Sequence, residues 1–205
     1  MERMSTKENP KKGGAIMGAE RHSMEAALRD AAGRADVAEI MALLKAGAEV
    51  NEPDGSGVTA LHAAAEIGSE AAVALLLAGG AEVNARTPGG WTPLHGAAAA
   101  GHRHVARRLL SGGADSDARD VRGETPLHCA VVWGRADVIE LLLDGGADAG
   151  ATNAQGDTPL EVAFAGRRPA IVETLLVHEL KRAATRLGWA TGAGVPALLG
   201  QTCAV

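Results

Sequence analysis

In TPLHCAVVWG, residues 125–134, a histidine stands beside a cysteine and a tryptophan follows close behind. His128 and Cys129 are the residue types of a nucleophile with its base, or of two metal ligands. Trp133 stands out in a chain that is 2% aromatic, with no tyrosine and one phenylalanine. The thiol reading weakens on geometry, because adjacent helical residues point about 100° apart and the imidazole cannot readily pair with the sulfur. It weakens further on position. His62, His95 and His128 recur at one spacing, and a catalytic group has no reason to stand in every unit of an array. Cys129 occupies the place of Ala63, Gly96 and Val162, which makes it a small filler. In GHRHVARR, His102 and His104 leave a helix in different directions, so they share no metal. No Ser-His-Asp set, phosphate loop or carboxylate pair stands out from the pattern. The expectation is a chain that is not an enzyme and takes no metal or cofactor.

The elements that carry these residues form a repeat. Thr59, Thr92, Thr125 and Thr158 step by 33 residues, and Gly57, Gly90, Gly123 and Gly156 keep that step. A second phrase, GAEVN at Gly47 and Gly80, returns as GADSD at Gly113 and GADAG at Gly146. Each unit reads as turn, short helix, tight reversal, second helix and extended loop. The threonines are N-caps whose oxygens satisfy free amides, and Pro93, Pro126 and Pro159 fill a first turn that needs no donor. Second helices carry apolar residues at helical spacing, as in Val138, Ile139, Leu141, Leu142 and Leu143, and end at glycines that accept a left-handed backbone. Ala64, Ala97, Ala130 and Ala163 let the first helices approach closely. Projecting the register backwards puts Leu28, Ala31, Ala32, Ile40, Leu43 and Leu44 on the core positions of an unmarked first unit.

TPLH followed by alanine, with the LL-x-x-GAD ending and the 33-residue step, resembles the ankyrin repeat over about residues 23–185. The resemblance implies an all-α solenoid of about five helix-turn-helix units with hairpin loops, at about 23–53, 54–86, 87–119, 120–152 and 153–185. It implies that the repeated histidine is a structural hydrogen-bonder tying neighbouring loops, a place taken by Glu161 in the last unit. It also implies a non-catalytic protein-binding module, an adaptor or scaffold, with a regulatory inhibitor of an enzyme or transcription factor as the alternative. LGQTC, Leu199 to Cys203, resembles the Leu-x-x-x-Cys core of the elongin-binding box, which implies a ubiquitin-ligase substrate adaptor as a further alternative.

Composition narrows the partners. The 205 residues carry 20 basic and 25 acidic side chains for a net charge of -5, which disfavours nucleic acid. No run of about 18 apolar residues suggests a membrane span. Residues 1–22 read as a disordered leader with a short basic run, Lys7, Lys11 and Lys12, and residues 186–205 as a Gly- and Ala-rich tail carrying Trp189. Two distant cysteines suit a reducing compartment, so a cytoplasmic monomer is expected, with the nucleus as a second location.

In a solenoid, function lies where the consensus leaves positions free. Here those are the hairpin tips and the exposed edge of each first helix. They hold Arg86, Trp91, Arg119, Arg122 and Glu124 at the tips, and Ile67, Val132 and Trp133 on the helix edge. Tryptophan and arginine are the types most enriched among binding hot spots. The expected site is therefore the concave face of repeats 2–4, anchored by Trp91 and Trp133, with the arginines favouring an acidic rim.

Overall fold

Threonine and proline start the inner helices in the structure, a computed structural model that describes residues 23–186. The hydroxyls of Thr92, Thr125 and Thr158 accept from the backbone N–H of His95, His128 and Glu161, and a proline follows each threonine at the first helical position. Ten helices follow among the described residues: α1 (23–33), α2 (Val37–Lys45), α3 (Ala60–Ile67), α4 (Glu70–Ala78), α5 (Pro93–Ala100), α6 (Arg103–Ser111), α7 (Pro126–Val132), α8 (Ala136–Asp144), α9 (Pro159–Ala165) and α10 (Pro169–Arg186). Helices pair in chain order, α3 with α4, α5 with α6, α7 with α8 and α9 with α10. The inner helices α3, α5, α7 and α9 stack on one another, and so do the outer helices α2, α4, α6, α8 and α10.

One continuous core fills the space between the two layers. Leu61, Leu94 and Leu127 of the inner helices and Leu76, Leu109 and Leu142 of the outer ones are buried at register-equivalent places. Alanine at 64, 97, 130 and 163 is fully buried, so the inner layer packs through small side chains rather than aromatics. Leu28, Ala31, Ala32 and Ile40 are buried in the same core, with Leu43 and Leu44 packed against it, so the unmarked first unit stacks like the rest.

The hairpin loops are shaped by one side chain each. Asp54, Asp120 and Asn153 each accept two backbone N–H groups of their own turn through Oδ1, at 2.8–3.0 Å. Adjacent loops then join: Val121 N–H donates to the Gly89 carbonyl at 3.0 Å, and Ala154 N–H to that of Arg122 at 2.8 Å.

Glycine between the two helices of a unit answers to the next repeat. Gly68, Gly101 and Gly134 have φ of +84°, +89° and +72°, and a Cβ there would stand within 2.8 Å of His102, Arg135 or Arg168 respectively. At the two ends the same place holds Ala35 and Arg167, also at positive φ. Ala35 is followed a repeat later by Ser69 rather than a long side chain, and Arg167 has no following repeat among the described residues. Glycine there suits the positive backbone angle, and at Gly68 and Gly101 it also leaves room for the neighbour's ring or side-chain stem.

Candidate functional site

Rows of polar contacts run along the stack, and three of them account for most of the residues that first suggested chemistry. In the first row, the Nδ1 atoms of His62, His95 and His128 take the backbone N–H of Thr59, Thr92 and Thr125 at 3.2–3.3 Å. Their Nε2 atoms reach the carbonyls of Trp91, Glu124 and Asp157 in the next repeat, at 3.1–3.2 Å. A carbonyl only accepts, so Nε2 carries the hydrogen and Nδ1 is the lone-pair nitrogen: each ring is neutral and fully used. In the last repeat Glu161 repeats the cap, accepting from Thr158 N–H at 2.7 Å, with no onward bond among the described residues. His128 and Cys129 therefore do not form a pair. Cys129 is buried, and desolvation pushes its thiol up to about 12, the opposite of what a nucleophile needs.

Burial holds the pKa of His62, His95 and His128 below the ordinary 6.5, against the smaller upward pull of the accepting carbonyls. Protonation would also set Nδ1–H against the threonine N–H. The unfolded chain takes up these protons first as pH falls, so stability is full above pH 6.5 and declines below it. Each histidine adds at most about 1.4 kcal/mol per pH unit to the slope. Urea melts at pH 7.5 and 5.5 should show that loss, and equal midpoints would contradict the neutral, bonded rings.

The second row ties the reversals. His102 Nε2, Arg135 Nε and Arg168 Nη2 donate to the carbonyls of Glu66, Ala99 and Val132, at 2.9, 2.9 and 2.7 Å, closing the last turn of the preceding inner helix. The third runs through the loops. Arg86 donates to the Arg119 carbonyl, and Arg119 to that of Thr152 at 2.6 Å. Arg122 pairs with Asp120 at 3.3 Å and Glu124 at 2.8 Å. The tip arginines and Glu124 are thus engaged within the loop row. Arg108, which replaces an apolar residue in its register, is likewise paired, with Glu70 of the preceding repeat at 2.9 Å.

The apolar candidates divide differently. Trp133 is the C-cap residue of α7 and 59% exposed, and Ile67 and Val132 are exposed as well. Trp91, read from sequence as an exposed tip residue, is half-buried instead: its indole lies over His95 at 5.2 Å between ring centroids, tilted by 31°. The ring packs inward against His95 and passes beside Gly96, where even an added Cβ would stand at ordinary contact distance, 3.6 Å from Nε1. Even so, Trp91 and Trp133 line one open depression, whose floor is the Gly96, Ala99 and Ala100 stripe of α5 and whose walls include Glu66 and Arg135. Gly96 and Arg135 escaped the sequence reading. Arg135 had a usable signal, the 33-residue step through His102 and Arg168, whereas Gly96 looked like one filler among several.

No helix among the described residues is long and apolar enough to cross a membrane. The leader, the Leu199–Cys203 string and Trp189 lie outside the described residues. A family model described as ankyrin repeats, in three copies, matches residues 24–120 and 112–184. Comparison with curated proteins finds none that matches the chain.

Proposed function

From the premise that this chain belongs to the ankyrin-repeat family, whose members generally serve as protein–protein interaction modules, we propose a non-catalytic module that holds a protein partner on the concave face of repeats 2–4. The observation that carries this reading is the joining of Trp91 and Trp133, far apart in sequence, over a floor of glycine and alanine. Two indoles beside a small-residue floor make a groove that an apolar side chain of a partner fills with little polar surface to desolvate. Trp133 supplies the accessible ring, Trp91 the inner wall, and Ile67 and Val132 widen the apolar surface along the neighbouring helix ends. Because Arg86, Arg119 and Arg122 already have partners of their own, they act as a rim that tunes approach rather than as anchors.

Trp133 gives the cleaner test, since its ring is largely outside the core whereas Trp91 supports His95. Partners are captured from native lysate with the wild-type chain, and the affinity of a captured protein is then measured by calorimetry for wild type and Trp133→Ala. The expected loss is about 2 kcal/mol or more, near 30-fold in Kd, with the melting midpoint nearly unchanged. Equal affinity in a folded variant would remove the groove from the binding surface.

A further inference from the structure

The end of the stack after α10 is not built like an end. In the inner repeats Ala65, Ala98 and Val131 are fully buried, but the register-equivalent residue of the last repeat, Phe164, is 57% exposed. Leu44, Leu77 and Leu110 each reach over the glycine that ends the next outer helix, Gly79, Gly112 or Gly145. Their counterpart Leu176 has no such neighbour among the described residues and is exposed, as is Leu180, which stands where Ala147 is fully buried. Val172, Leu176 and Leu180 fall four residues apart, on one stripe of α10. Terminal repeats normally turn a polar face to water, so an apolar end face calls for a cover.

We infer that the segment 187–205 of this same chain is that cover, folding back onto Phe164, Leu176 and Leu180 as a cap. The segment follows directly from Arg186 at the end of α10, and it has no Asp, Glu, Lys or Arg anywhere in LGWATGAGVPALLGQTCAV. That composition is compatible with contact with an apolar face, since no charge would have to be desolvated. Reach is not limiting: Leu180 lies only about 9 Å back along the helix at 1.5 Å per residue, while the segment extends by about 3.3 Å per residue. The segment's sequence holds Gly188, Gly192 and Gly194, a residue type that permits sharp turns, and the large apolar residues Trp189, Leu198 and Leu199. A second copy stacking end to end offers the same kind of surface. A tethered segment outcompetes it, because its effective concentration is of millimolar order.

The test uses the full-length chain and hydrogen exchange read by mass spectrometry across α9 and α10. One variant carries Trp189→Ser, Leu198→Ser and Leu199→Ser; a second carries Leu176→Glu and Leu180→Glu; a third combines them. Either set alone is expected to speed exchange in α10 by about tenfold, and the combined variant is expected to exchange no faster than the face variant alone. Unchanged exchange in the tail variant overturns the inference, as do effects that multiply in the combined variant. Sedimentation supplies a second reading. A wild-type dimer that the face variant alone converts to monomer would give the face to another copy and overturn the cap.

Discussion

Replacing His95 with alanine is expected to cost the fold about 3 kcal/mol or more, the largest loss from any single polar side chain. The imidazole is fully buried and serves two repeats at once, receiving Thr92 N–H at 3.2 Å and giving its own hydrogen to the Glu124 carbonyl at 3.1 Å. Truncation strands the Thr92 N–H in the core, at roughly 1–3 kcal/mol for an unpaired buried group, opens a cavity, and withdraws support from the Trp91 indole. Glu161 provides the control. It makes the same cap but is exposed and has no onward bond among the described residues, so Glu161→Ala should cost only about 1 kcal/mol, the usual value of a lost cap. Urea unfolding of the two variants measures the difference directly. Similar midpoints would mean that the contact between repeats contributes little and that the row is only a set of helix caps.

Gly123→Ala should be nearly as damaging, and Gly156→Ala is its internal comparison. Both glycines sit at the same point of their hairpin loops with positive φ, +72° and +89°. A left-handed alanine costs about 1–2 kcal/mol on backbone grounds alone, which is the whole effect expected at Gly156, where a Cβ meets nothing within 4 Å. At Gly123 the added Cβ would stand 2.9 Å from the Ala154 nitrogen and 3.1 Å from the Asn153 carbonyl carbon, both backbone atoms of the next loop. Backbone cannot rotate away as a side chain can, so the loops must part and the Ala154 to Arg122 hydrogen bond goes with them. A total near 3 kcal/mol or more is expected, read as a lower melting midpoint than that of Gly156→Ala. Equal midpoints would show that the loop row yields freely.

These two comparisons show how far local pattern carries and where it stops. Threonine at a 33-residue step, followed by proline at 93, 126 and 159 and by an apolar helix and a glycine, determines the starts of α3, α5, α7 and α9, because caps and first turns depend on residues three or four apart. The core was legible for the same reason: positions that repeat along the chain are covered by copies of themselves, so burial of Leu94 implies burial of Leu127. Setting aside His128 and Cys129 as chemistry likewise needed only their recurrence and the angle between adjacent helical residues.

What no spacing could decide was the direction in which long side chains leave their own repeat. Arg86 and Arg119 look free in a loop, but each crosses to the next loop's carbonyl. Arg135 shares a 33-residue step with His102 and Arg168, but that step does not say that its side chain crosses back to Ala99. Trp91 shares its neighbourhood with exposed tip residues, yet it turns inward over His95. Sequence by itself determined the unit, its caps and its core, since these rest on contacts within one repeat or on translation of that repeat. Only the tertiary structure decided which of the arginines are occupied between repeats, and that Phe164, Leu176 and Leu180 are left on the surface. The physical reason is that contacts between repeats depend on side-chain length and on the empty space a neighbour leaves, and neither is a property of any one position.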